Sequence, residues 1–148
     1  MVRVIEGNLF DTTAELIAHQ VNCQKTMGSG VARQVRDRYP DVYKEYLEHN
    51  GYLGDVQIYK PKGVNTPFIV NLYAQDKYGY DGKQYTDLSA LKKCFYKLNE
   101  AVPRGGIYTI AMPYKIGCGR GGADWNEVYK IIEEIFTNVD VELWRLEE

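Results

Sequence analysis

Cysteine is scarce in this chain: three of 148 residues, Cys23, Cys94 and Cys118, with no Cys-x-x-Cys pair among them. An odd, scattered set excludes a disulfide framework and a structural zinc site, and fits reduced thiols in a cytoplasmic setting. No apolar run is long enough to span a bilayer. The N-terminus opens directly on Val2-Arg3-Val4-Ile5 rather than on a charged stretch followed by an apolar one, so no signal peptide is expected. A charge excess is missing as well. Eighteen basic residues face 20 acidic ones, for a net charge of −2. That balance supplies no basic field for duplex nucleic acid. It does not oppose a single nucleotide, which needs only a local anion site.

What is present is ordinary globular composition, 45% hydrophobic and 26% charged. The length suits one domain, residues 1–148, with no metal or disulfide needed for folding. No metal cluster, cofactor or obligate second subunit is expected.

Strand-like and helix-like segments alternate along the chain. Val2 to Glu6, Leu16 to Asn22, Asp55 to Tyr59, Phe68 to Tyr73, Ile107 to Met112 and Val139 to Leu146 read as strands. Val31 to Tyr39 reads as a helix broken by Pro40, with Val42 to His49 as a second piece. A third helix is expected from Thr86, with the stripe Leu88, Leu91, Cys94, Phe95 and Leu98. A fourth carries Trp125, Val128, Ile131, Ile132, Ile135 and Phe136. Asp124, followed three residues later by Glu127, has the capping-box pattern and is expected to cap that helix rather than to catalyse. The alternation predicts an α/β fold with helices on both faces of one sheet.

Two loops between a strand and a helix are rich in glycine. The first is Asn22-Cys23-Gln24-Lys25-Thr26-Met27-Gly28-Ser29-Gly30-Val31 and the second is Pro113-Tyr114-Lys115-Ile116-Gly117-Cys118-Gly119-Arg120-Gly121-Gly122. Glycines let backbone approach a ligand closely, and a helix start offers unpaired N–H groups and a partial positive charge. One such loop is also what a plain tight turn looks like. Two together predict a diphosphate held between two walls. Cys118 has no activating partner nearby in sequence and reads as a small loop residue. A third, polar loop, Ala74 to Tyr85, has the composition of a lid, with four tyrosines in or beside it. His19 lies in an apolar strand, where histidine is usually a hydrogen-bonded core residue; facing a ligand, it would suit acid–base work. His49 reads as exposed helix surface.

At these residues the sequence resembles the macrodomain family over nearly its whole length. The matching stretches are Gly7-Asn8-Leu9-Phe10, Ala18-His19-Gln20-Val21-Asn22, Met27 through Ala32, and Met112-Pro113 through Gly119 to Trp125. The resemblance is to the branch with ADP-ribose-1″-phosphate phosphatases and the terminal ADP-ribose protein glycohydrolase. It implies a three-layer α/β/α fold with a central mixed sheet and a site for ADP-ribose. By position it implies that Asn22 contacts the distal ribose, and that Met27, Gly28, Ser29, Gly30 and Val31 run along that ribose and the diphosphate. It implies that Gly117, Cys118, Gly119, Arg120 and Gly121 form the second diphosphate loop, and that Asn8 and Leu9 meet the base. Asn8 departs from the family's usual aspartate, which accepts from the adenine amino group. A second departure removes the glycohydrolase's catalytic pair: its lysine falls on Asp76, with Lys77 next to it, and its aspartate on Gly121. His19 fits the phosphatase pattern. The expected activity is release of a group from the distal ribose, ADP-ribose-1″-phosphate phosphatase first, with His19, Asn22 and Asp76 as catalytic candidates. An ADP-ribosyl hydrolase on protein or nucleic acid, and a non-catalytic ADP-ribose reader, are the alternatives. Asn22→Ala is expected to cut turnover and leave the melting curve near wild type.

Overall fold

The computed structural model describes residues 1–146. Six strands form one sheet: β1 (Val2–Glu6), β2 (Leu16–Asn22), β3 (Val56–Tyr59), β4 (Phe68–Gln75), β5 (Thr109–Pro113) and β6 (Asp140–Arg145). The helices are α1 (Gly30–Arg38), α2 (Pro40–Glu48), α3 (Leu88–Ala101) and α4 (Trp125–Ile135), with short 3-10 turns at Leu9–Asp11 and Val102–Gly105. Strand order is β1-β6-β5-β2-β4-β3, parallel throughout except for antiparallel β3 at the edge.

Period-two alternation in the strands feeds two different helix layers. Leu16, Ala18, Val70, Leu72, Ile110, Met112, Val141 and Leu143 pack with α3 and α4, where Leu91, Phe95, Leu98, Val128 and Ile132 supply the helical stripe. The opposite face, with Ile17, Ile69 and Ala111, is covered by Val35 of α1 and Val42 of α2. The result is the three-layer α/β/α fold with a central mixed sheet.

Several element boundaries differ from the expectation by one or two residues, β4 for instance running on to Gln75. Pro40 does not lie in a gap between helices: the break is at Tyr39, and Pro40 opens α2, where its missing N–H would have been unpaired anyway. The third helix begins at Leu88, capped by Asp87 onto the Ala90 N–H, because Thr86 pairs instead with Gln75 at the end of β4. The strand expected from Ile107 starts at Thr109. His49 is not plain helix surface either. It ends α2, and its Nε2 lies 2.7 Å from Asp55 Oδ2. Asp124 does cap α4, accepting from the Asn126 N–H at 2.9 Å.

The turn at Leu9–Asp11 matters for the site because Asn8 sits at its start. Buried Glu142 on β6 ties that region down: Oε1 accepts from Thr12 Oγ1 at 2.6 Å and Trp144 Nε1 at 2.9 Å, and Oε2 from Arg3 at 3.1 Å. Burial alone would raise the Glu142 pKa. The three hydrogen bonds, with the Arg3 charge, outweigh it and hold the carboxyl below its ordinary value. A depressed carboxylate stabilises the fold above the unfolded value of 4.5 and loses that contribution as pH falls through the lower folded value. Glu142→Gln should therefore be less stable than wild type in neutral urea titrations. The gap should narrow as the titration is repeated at progressively lower pH beneath 4.5.

Candidate functional site

Strands β2 and β5 pair in register at Leu16 with Ile110 and Ile17 with Ala111. Beyond those residues the two strands part toward their carboxyl ends. The chain leaves β2 toward the α1/α2 layer and leaves β5 toward α4 in the other layer. This is the switch point at which open α/β sheets bind ligands. A cleft of about 390 Å³ opens there, walled by residues 28–32 on one side and by 113–117 and 119–121 on the other.

The first wall is built on Asn22. Its Oδ1 accepts from Gln24 N at 2.9 Å and from Tyr46 Oη at 2.9 Å, and its Nδ2 donates to Thr26 O at 2.9 Å. Tyr46 Oη also lies 2.6 Å from the Asn22 carbonyl. Buried Met27 pins the loop into a cluster with Val21, Tyr46 and Tyr73. The chain then reaches Ser29 in extended conformation and enters α1 through Gly30 at φ +59°, a left-handed geometry that suits glycine.

The second wall hangs on Thr86. Its hydroxyl donates to Gly117 O at 2.8 Å, its N–H donates to Gly121 O at 2.9 Å, and its oxygen accepts from Gln20 Nε2 at 2.7 Å. The packing leaves no room at Gly121: a Cβ there would stand 2.2 Å from Thr86 Oγ1 and 2.5 Å from Gly117 O. An aspartate carboxylate at this position is therefore excluded by the backbone path. On the rim, the Arg120 guanidinium lies 4.0 Å from the centre of the Tyr80 ring, joining the glycine loop to the third loop.

His19 is on the cleft lining and is 1% exposed. Its Nε2 is 2.6 Å from Asn71 Oδ1, while Asn71 Nδ2 donates to Gln57 Oε1 at 3.0 Å. Because the Asn71 oxygen must accept, the proton belongs on His19 Nε2, and Nδ1 is left as a buried acceptor with no partner. Burial lowers the His19 pKa to about 4, against a smaller opposing effect of the Asn71 hydrogen bond. The ring is neutral at physiological pH.

Of the residues singled out from sequence, His19, Asn22, Gly28, Ser29, Gly30, Val31, Gly117, Gly119, Arg120 and Gly121 line this one cleft. Asn8 and Leu9 line a smaller cavity of about 210 Å³ that shares Val31, Pro113 and Tyr114 with it. Three candidates stand elsewhere. Met27 is in the core. Cys118 packs toward the α3/α4 core with its thiol on Ile116 O, and burial, with Asp124 nearby, pushes that thiol up to about 11, so it is no nucleophile at neutral pH. Asp76 is not on the cleft lining, and its carboxylate accepts from Gln24 Nε2 at 3.0 Å. Gln20, Thr26 and Tyr114, which the sequence offers only as members of longer stretches and not as site residues, also line the cleft. The period-two rule sends Gln20 to the face opposite His19, so only its hold on Thr86 reveals its part.

A family model, the Macro domain, matches residues 18–132. The chain belongs to the macrodomain family. This macrodomain is 29% identical over 150 residues to a DNA ADP-ribosyl glycohydrolase of Thermus aquaticus, covering 97% of this chain but 40% of the relative's length. It is 25% identical to an ADP-ribose 1″-phosphate phosphatase of Meyerozyma guilliermondii, across 93% of this chain and 96% of that one. Among solved structures, the macrodomain of Mycobacterium tuberculosis DarG superposes with a TM-score of 0.86 at 23% identity, covering 97% of both chains.

The Asn22 geometry argues against the expectation that its loss would spare stability. Its amide holds the Gln24–Thr26 backbone and satisfies Tyr46, so Asn22→Ala should cost about 1–3 kcal/mol in chemical denaturation, as for buried partners left unpaired. A melting curve unchanged from wild type would contradict this. A second check concerns His19. Its imidazole NMR signals should remain those of the neutral ring from pH 8 down toward about 4. Between pH 6.5, where the unfolded chain takes up that proton, and about 4, the fold should lose stability as pH falls.

Proposed function

We propose that this macrodomain binds ADP-ribose and hydrolyses ADP-ribose-1″-phosphate to ADP-ribose and phosphate, acting as a cytoplasmic monomer folded as one domain. One observation carries the reading: two glycine-rich loops face each other across the parting of β2 and β5. Their small residues let backbone N–H groups close on a diphosphate from both sides. The aromatic-lined cavity beside Asn8, Phe10 and Trp144 takes the base at one end. That leaves the distal ribose at the other end, near Asn22, His19 and the third loop.

In the reaction, water oxygen joins phosphorus, the bond from phosphorus to the 1″ oxygen breaks, and a proton reaches that leaving oxygen. His19 lines the cleft with a neutral ring whose unpaired Nδ1 is itself buried, so taking the water proton requires a shift that brings Nδ1 to the cleft surface. Arg120, which makes no ion pair among the described residues, offers its charge to the phosphate from the rim. Much of the rate would come from holding the substrate in one orientation. The phosphatase among the relatives supports this reading.

The glycohydrolase alternative, supported by the Thermus relative, needs an acid–base pair. Here Asp76 stands off the cleft and Gly121 admits no side chain. That same lack favours a non-catalytic reader as the second reading.

Calorimetric titration with ADP-ribose followed by phosphate detection on ADP-ribose-1″-phosphate separates them. Binding with phosphate release is expected. Arg120→Ala should lower release by about tenfold or more, the scale of one charge-assisted contact, while ADP-ribose affinity changes less. Binding without release would leave the reader, and absence of binding would end the proposal.

A further inference from the structure

Three polar side chains cross the sheet in one row that ends at the cleft. His19 on β2 stands opposite Asn71 on β4, and Asn71 stands opposite Gln57 on β3. Residues so paired share a face of the sheet, here the face of Ile17 and Ile69 that α1 and α2 cover. His19 and Asn71 are as deeply buried as the core around them. Amides and imidazoles in such a place are costly unless the right end of each meets the right end of the next.

Which end faces which way follows from one fixed point, a backbone carbonyl, which can only accept. Gln57 Nε2 donates to Glu45 O of α2 at 3.2 Å. The Gln57 oxygen is thereby turned inward, where it accepts from Asn71 Nδ2 at 3.0 Å and from Tyr73 Oη at 3.0 Å. That leaves Asn71 Oδ1 to face His19 Nε2 at 2.6 Å. An oxygen there requires a proton on Nε2 and leaves Nδ1 bare. Turning Gln57 over would set N–H against N–H at Asn71. Turning Asn71 over as well would put its N–H on Nε2 and send the ring proton to Nδ1. The protonated nitrogen of His19 is thus decided at the edge strand of the sheet, by a residue that, like Asn71, does not line the cleft.

We propose that Gln57 is a positioning residue for the cleft: through Asn71 it holds His19 in the Nε2–H form and keeps Nδ1 as an acceptor. A ring fixed in this way takes a hydrogen bond at Nδ1 from water or a sugar hydroxyl and offers none from that atom to a phosphate oxygen. The consequence for catalysis rests on the reading that His19 takes the water proton. The hold on the ring does not.

Long-range proton–nitrogen NMR of the labelled protein at neutral pH reads which His19 nitrogen carries the proton. Wild type should show Nε2–H alone. Gln57→Glu still turns only acceptors to Asn71 and should show the same. Gln57→Lys turns only donors to it, so Asn71 should turn over and the proton should move to Nδ1. Gln57→Leu removes the restraint, and both forms should appear. In Gln57→Lys, phosphate release from ADP-ribose-1″-phosphate should fall at least about tenfold, part of the roughly 10²–10⁴-fold that a placed proton acceptor supplies, with ADP-ribose affinity nearly unchanged. Wild type in the Nδ1–H form, or Nε2–H alone in folded Gln57→Lys and Gln57→Leu, would overturn the proposal. If the proton moves while release keeps its wild-type rate, Gln57 retains its hold on the ring and the part of His19 in the reaction falls.

Discussion

Pairing between β2 and β5 stops after two residues, and the site exists because it stops there. A parallel sheet ordinarily satisfies each interior strand on both edges. Where two central strands part, their backbone groups must find other partners or face a ligand. The parting also separates two chain exits that run to opposite helix layers, so each wall can be shaped independently. Every feature of the cleft follows from that opening: the glycine loops that line it, the side chains that brace it, and the adjoining cavity reached past Tyr114.

The bracing is done by neutral groups. Thr86 and Gln20 hold the second glycine loop, and Asn22 and Tyr46 hold the first. A carboxylate in these places would repel a diphosphate, and a lysine would compete for its own counter-ion. Amides and hydroxyls fix the backbone without adding charge, and the charged side chains on the cleft lining are Lys115 and Arg120, both cationic. His19 belongs to the same pattern. Buried against Asn71, it is kept neutral and in one tautomer. Its other nitrogen, Nδ1, is left buried and without a partner among the described residues.

Much of this was legible in the chain. Strand alternation and helical stripes located the layers because burial selects side chains at those periods. The glycine loops were legible because repeated glycine is entropically costly unless backbone must approach something. What was not legible is what depends on side-chain direction. Thr86 read as the first residue of a helix, yet it is the wedge that sets the path of the glycine loop. Asp76 stood at a plausible position in the third loop, but its carboxylate turns to Gln24 rather than to the cleft. Met27 and Cys118 lie in the correct loops and point to the core. Asn22 was recognisable as a site residue, while its second task, tying residues 22–26 to α2, depends on a hydrogen bond to Tyr46 that no spacing rule reveals.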